Sequence, residues 1–178
     1  MKVGNNCRNQ GFTIVELLIV IVVIGILAAL VLNTISGVQK RARAASMADG
    51  ISKVDKAFKT WMIAEGYTTW PRETMFSTAN PTLEQMRSES SFSDHLQEAP
   101  VISGVDSEPW AYDNDNDIKP PNCGDKYNGV NLVIKPVNDR DMALMVDEQL
   151  DDGDFDCGKI RVTGDNRLFY SLSYDQEQ

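Results

Sequence analysis

The feature that most constrains this chain is an apolar run near its amino terminus. Residues 12–32 read FTIVELLIVIVVIGILAALVL, and from Leu17 to Leu32 no side chain is polar. As a helix this stretch extends about 30 Å, enough to cross the hydrocarbon core of a bilayer. β-Branched residues such as its many Ile and Val favour strands in water. In a bilayer, however, the segment must satisfy its own backbone polar groups, and that selects a helix. One carboxylate, Glu16, interrupts the apolar character. An ionised group there costs on the order of 2–3 kcal/mol, so any reading of the run has to account for it.

Simpler readings account for it poorly. A secretory signal peptide needs a small-residue cleavage site after the apolar region; Ala28-Ala29-Leu30 fits badly and the run is long. A plain single-span anchor explains the length but leaves Glu16 without a purpose. A buried core helix is disfavoured by the length. A lipoprotein signal places its cysteine after the apolar run, whereas Cys7 precedes it.

The rest of the chain is polar and acidic, with 26 Asp+Glu against 17 Lys+Arg and a net charge of -9. That balance argues against non-specific nucleic-acid binding, which depends on neutralising phosphates. The three cysteines, Cys7, Cys123 and Cys157, form no CxxC pair, so a zinc or redox motif is unsupported. No nucleophile elbow, phosphate-binding loop, dinucleotide fingerprint or HExxH motif is present, and the expectation is that the chain is not an enzyme.

The string Gly11-Phe12-Thr13-Ile14-Val15-Glu16-Leu17-Leu18 resembles the cleavage and methylation signal of type IV prepilins and type II secretion pseudopilins. The resemblance covers the first third of the chain. It implies cleavage between Gly11 and Phe12 by a membrane prepilin peptidase, and N-methylation of Phe12 by the same enzyme. It also implies a role for Glu16 in assembly. Cleavage removes Lys2 and Arg8 and creates an ammonium at Phe12, one helical turn from Glu16. An unpaired carboxylate in a dry site is penalised, so pairing Glu16 with the Phe12 ammonium of a neighbouring subunit offsets two desolvation costs.

A simple positive-inside count disagrees with this topology, because Lys40, Arg41 and Arg43 outnumber Lys2 and Arg8. The resemblance nevertheless places residues 1–11 in the cytoplasm, where the peptidase acts. It places a single pass in the inner membrane and the head outside the cytoplasm. Expected partners are the prepilin peptidase/methyltransferase, other pilin-like subunits, an inner-membrane assembly platform and the membrane itself, with no direct nucleic-acid binding.

Beyond the span, Asn33 to Glu65 continues as helix. Val38, Ala42, Ala45, Ala48, Ile51, Val54, Phe58, Trp61 and Met62 recur in steps of three and four, with charged residues between them. Gly66 suits the C′ position and Pro71 follows. Gly25 and Gly37 are soft points in the helix. Asn80-Pro81 predicts an N-cap and first turn of a short helix running to about Glu89. Trp70 and Trp110 suit a core, and the lone His95 suits a structural or solvated role. Alternation then predicts four strands, around Val130–Ile134, Met142–Val146, Ile160–Val162 and Leu168–Tyr174.

The expected fold is α+β and pilin-like: a long N-terminal helix, half membrane-spanning and half amphipathic, packed on a small antiparallel sheet. The expected segments are a leader at 1–11, a transmembrane polymerisation helix at 12–33, an amphipathic half at 34–66 and a globular head at 67–178.

Loss of Cys7 with the leader leaves Cys123 and Cys157, an even pair for an oxidising exterior. The resemblance implies a disulfide between them closing the carboxy-terminal loop; two free thiols are the other reading. Two acidic clusters remain. Asp113-Asn114-Asp115-Asn116-Asp117 imitates the start of an EF-hand, but Ile118 stands at the turn position that needs glycine, and Gly124 where the closing glutamate belongs. The second cluster is Asp147, Asp151, Asp152, Asp154 and Asp156 around Gly153. Leu150-Asp151-Asp152-Gly153 with Gly158 and Arg161 is similar to a loop of pilin-like heads that holds calcium in some pseudopilins. Alternating oxygens around a glycine turn suit Ca²⁺, the one cofactor considered. A solvated acidic hairpin turning at Asp-Gly is the other reading.

The function this implies is a structural subunit of a type IV pilus or related filament. The alternatives are a pseudopilin of a type II secretion system and a membrane-anchored minor tip adhesin or binding protein. Glu16 argues against an anchor that never polymerises.

Overall fold

The computed structural model describes residues 12–102, 110–114, 129–155 and 158–173. The chain divides into two units, Met1–Gln39 and Lys40–Gln178. Its longest element, helix α1, runs Ile14–Glu65 without a break and contributes to both. In the first unit the large side chains between Phe12 and Val31 are exposed. Nothing lies within 4 Å of where a Cβ would stand on Gly25 or Gly37, yet the helix passes through both. Of the described helices, α1 is the one long and apolar enough to cross a membrane.

In the second unit α1 buries one stripe: Ala44, Met47, Ala48, Ile51, Val54, Ala57, Phe58 and Trp61. The steps of three and four are those of a helix with one face on a core. The stripe differs at its start from the sequence expectation, since Ala42 and Ala45 are exposed and Ala44 and Met47 take their place. Helix α1 ends as expected at Gly66, whose φ is +69°. Tyr67 N–H donates to Met62 O at 2.9 Å and Gly66 N–H to Ile63 O at 3.3 Å, the paired bonds of a Schellman cap. The Tyr67 ring packs edge-on against Trp61, 5.3 Å between centroids.

After a short 3₁₀ turn at Glu73–Met75, helix α2 spans Leu83–Glu89. Its N-cap is Thr82, not Asn80. Thr82 Oγ1 accepts from Gln85 N–H and Gln85 Oε1 accepts from Thr82 N–H, a reciprocal capping box. Asn80 instead takes a left-handed φ of +52° ahead of Pro81.

The sheet has strands β1 (Trp110–Asp113), β2 (Asn131–Ile134), β3 (Ile160–Val162) and β4 (Leu168–Ser171), all antiparallel, in the order β1-β2-β4-β3. Pairings such as Tyr112↔Leu132 and Leu132↔Tyr170 align the apolar faces. Trp110, Tyr112, Leu132, Ile134, Ile160, Leu168 and Tyr170 join the core that includes the α1 stripe. Ala111, Val133 and Phe169 form a separate buried cluster; they alternate with the core residues along their strands, which places them on the other face.

One expected strand is a helix. Met142, Leu144 and Val146 belong to α3, Arg140–Leu150. Its buried positions are Met142, Ala143, Val146 and Asp147, a spacing of one, three and one that fits 3.6 residues per turn and not two. Asp139 is the N-cap, its Oδ1 accepting from Met142 N–H at 3.1 Å. The sheet takes its fourth strand from Trp110–Asp113 instead.

Trp110 is buried and its Nε1–H donates to Pro100 O at 2.7 Å; Trp70 packs at the core margin. A polar knot fastens the segment after α1 to the end of β1. Buried Glu73 accepts from Asn80 N–H at 2.9 Å and from Asn114 N–H at 2.7 Å. Pro71 O accepts from Tyr112 Oη–H at 2.6 Å and from Asn114 Nδ2–H at 2.8 Å.

Candidate functional site

The start of α1 is built around two polar residues in an apolar sequence. Thr13 stands at the N-cap and Glu16 at the third helical position. The Glu16 Oε2 atom accepts from Thr13 N–H and from the Thr13 hydroxyl, both at 2.8 Å, and Glu16 N–H approaches Thr13 Oγ1 at 3.3 Å. This too is a capping box, satisfying donors that a helix end leaves open. Both bonds to the Glu16 carboxylate fall on Oε2; among the described residues Oε1 accepts none. Phe12, immediately before the cap, is 81% exposed. Thr13 escaped the sequence reading, although T-x-x-E before an apolar run was a visible signal for it.

Residues 6–32 match the family model of the prokaryotic N-terminal methylation motif. The chain carries the amino-terminal signal of type IV pilins and pseudopilins. With the apolar span of α1 and the small antiparallel sheet, the fold is pilin-like and α+β. No curated protein and no solved structure matches the chain. The prepilin-type motif is a processing and assembly signal rather than that of an enzyme. It supports a pilin-like or pseudopilin precursor and implies processing by a prepilin peptidase, and α1 is long and apolar enough to serve as a membrane anchor. Gly11 lies outside the described residues, as do Cys7, Cys123 and Cys157.

The second site is the acidic cluster where α3 ends. Asp147, Asp151 and Asp152 each place a carboxylate oxygen within 4.8 Å of the others. Asp147 is fully buried on the inner face of α3. Burial, with the charges of Asp151, Asp152 and Asp154, pushes its pKa up to about 7. The Gly153 N–H eases this but does not reach hydrogen-bond geometry with either Asp147 oxygen. Asp151 is raised too, chiefly by burial, against the N–H groups of Ile160 and Lys159 that its Oδ2 accepts. Asp154 is exposed and donates its N–H to Asp152 Oδ1 at 2.9 Å. Three of the five expected carboxylates therefore converge, Asp154 stays outside the group, and Asp156 lies outside the described residues.

The other acidic run offers less. Asp113 is buried at the end of β1 and Asn114 serves the polar knot, while 115–117 lie outside the described residues. His95 closes a 3₁₀ turn and lines an open groove of about 410 Å³ with Lys53, Lys56, Thr60 and Glu98.

Proposed function

We propose that this chain is a prepilin cut between Gly11 and Phe12, methylated on the new Phe12 amine, and assembled as a structural subunit of a type IV pilus or related filament. The observation that carries the reading is the position of Glu16, a carboxylate in an apolar span, one turn from the bond to be cut. Its Oε2 caps its own helix through Thr13, and its Oε1 is left to receive an incoming charge. The Phe12 ammonium of a neighbouring subunit supplies that charge once the leader is gone. Before cleavage there is no ammonium, so the cut makes the subunit competent to assemble.

In this reading the apolar half of α1 holds the subunit in the inner membrane and packs with its neighbours in the filament. The head lies outside the cytoplasm, where Cys123 and Cys157 form a disulfide.

Co-expression with a prepilin peptidase, followed by intact-mass spectrometry, tests the first step. The expected product lacks residues 1–11 and carries one added methyl group. A chain left uncut, or cut elsewhere, defeats the proposal. Glu16→Ala is expected to be cleaved normally and to give little or no filament; normal filament yield from that variant removes the assembly role.

A further inference from the structure

We infer that the basic groove between α1 and the segment at His95 is a docking site for the acidic end of α3 of a second copy of this chain. This contact rests on the filament reading and names where two heads meet. Every residue it uses lies in the second unit, Lys40–Gln178.

Charge is divided unevenly along the chain. Between Lys40 and Lys59, α1 carries six Lys or Arg against two Asp. From Thr60 to Gln178, 23 Asp or Glu stand against nine Lys or Arg. Copies that each carry a net charge of -9 repel one another. Bringing them together favours contacts in which unlike patches meet, and this division supplies one patch of each sign.

The basic patch lies on the face of α1 turned away from its buried stripe. Lys53, Lys56 and Thr60 follow at i, i+3 and i+7 and are all exposed. With His95, Leu96 and Glu98 they line the groove of about 410 Å³. Lys53 pairs with Asp49 at 2.6 Å yet stays exposed. Lys56 has no ion-pair partner among the described residues; its neighbour Asp55 is taken by Lys59 at 2.6 Å. The groove therefore presents two ammonium groups and an imidazole beside buried Ala57 and Leu96, and Glu98 is the single carboxylate lining it.

The matching patch is the end of α3, where Glu148 and Asp152 are exposed. A carboxylate oxygen of Asp152 lies within 4.8 Å of oxygens of Asp147 and Asp151, which concentrates negative potential there. Neither Glu148 nor Asp152 has a cationic partner among the described residues. Glu148 lines a second groove with Arg41 and Ala45 of α1. The basic groove lies roughly 17 Å further along α1, at 1.5 Å per residue. The two patches are thus different surfaces of one chain, offset along its helix. A contact between different surfaces is heterologous, so each added copy leaves an acidic end and a basic groove open for the next. That is the geometry a filament needs.

Full-length proteins expressed with a prepilin peptidase and a filament-assembly platform provide the test. They are the parent, Lys53→Glu/Lys56→Glu, Glu148→Lys/Asp152→Lys, and the combination of all these substitutions. The readout is mature subunit in sheared filaments against total subunit. Either pair alone sets like charges against each other and is expected to lower the yield roughly tenfold or more. The combination reverses both patches and is expected to restore it. All the substituted positions are exposed, so the proteins are expected to share one Tm in detergent micelles, which separates lost docking from lost folding. Carbodiimide coupling of parent filaments mixed from isotopically light and heavy subunits needs no variant. It is expected to join Lys53 or Lys56 of one copy to Glu148 or Asp152 of another. Full yield from either pair, or filaments without such a cross-link, overturns the contact and leaves the filament reading standing. A loss that the combination does not repair assigns the groove to another occupant and overturns it as well. A parent that forms no filament removes both.

Discussion

Lys40 of α1 pairs with Asp139, the N-cap of α3, at 3.2 Å, and its Nζ also donates to Asp141 at 3.0 Å. Helices α1 and α3 are thus joined by an ion pair located at a helix terminus. Asp139 does two tasks there, capping α3 through Met142 N–H and receiving Lys40.

The tasks separate by substitution. Asp139→Asn keeps a good N-cap and removes the ion pair, so it is expected to cost only a few tenths of a kcal/mol. Asp139→Ala loses the cap as well, at about 1 kcal/mol. Lys40→Ala is expected to cost the least of the three, because the pair is partly solvent-screened. Chemical denaturation of the three variants gives the order directly.

The same pair sets a pH dependence. Burial opposes it, but the Met142 N–H and Lys40 hold the Asp139 carboxyl below its usual range. A depressed carboxylate contributes stability that is fully present above its unfolded value and lost as pH falls through its folded one. Asp141 and Asp139 raise Lys40, whose contribution is full below the unfolded lysine value and lost as pH rises through the folded one. The pair is therefore at full strength at neutral pH and fails only at the acidic and alkaline ends. Melting curves across pH are expected to show Asp139→Asn losing less stability than the parent on acidification.

Phe58 is the centre of the aromatic core, fully buried, with ring centroids 4.7 Å from Phe92, 5.2 Å from Tyr112 and 6.4 Å from Trp61. Phe58→Ala is expected to cost about 3–5 kcal/mol, enough to unfold a marginal head at growth temperature. Loss of near-ultraviolet circular dichroism and of soluble yield are the measurements.

Gly158 adopts a φ of +121°, and a Cβ on it would collide with Asp151 Oδ2. Gly158→Ala is expected to cost more than about 1 kcal/mol from strain and displacement together. Gly164→Ala, where no atom lies within 4 Å, is the matched control.

Thr13→Val removes the hydroxyl that holds Glu16 and leaves the backbone intact. Cleavage at Gly11-Phe12 is expected to continue while filament yield falls, because the carboxylate loses its fixed orientation. Thr13→Ser is expected to restore yield. Quantifying mature subunit in sheared filaments against total subunit distinguishes the two effects.

Much of this architecture was legible in the residues. The membrane-length helix follows from an apolar run with one charge. The Gly66 stop follows from a residue free to take positive φ. Strands β2, β3 and β4 followed from alternation. That rule failed where its premise failed. Met142, Leu144 and Val146 alternate by accident, while the helical partners Ala143 and Asp147 face the same core. An aspartate in that second position looked like a solvent-facing residue and so hid the helix. Strand β1 was missed because the acidic run that begins at its last residue, Asp113, gives the segment the composition of a loop. The acidic site was legible as composition only. Nothing local distinguishes buried Asp147 from exposed Asp154; tertiary packing of α3 makes that distinction.

The polar knot at Glu73 bears on how the head comes apart. Its bonds close a ring from Pro71 to Asn114 without a covalent link. The backbone N–H of Asn80 and that of Asn114 share one carboxylate, so neither can be released without weakening the hold on the other. Hydrogen exchange at these two amides should therefore follow a common opening event with a common free energy, and the segment after α1 would unlatch together with the edge strand it is tied to.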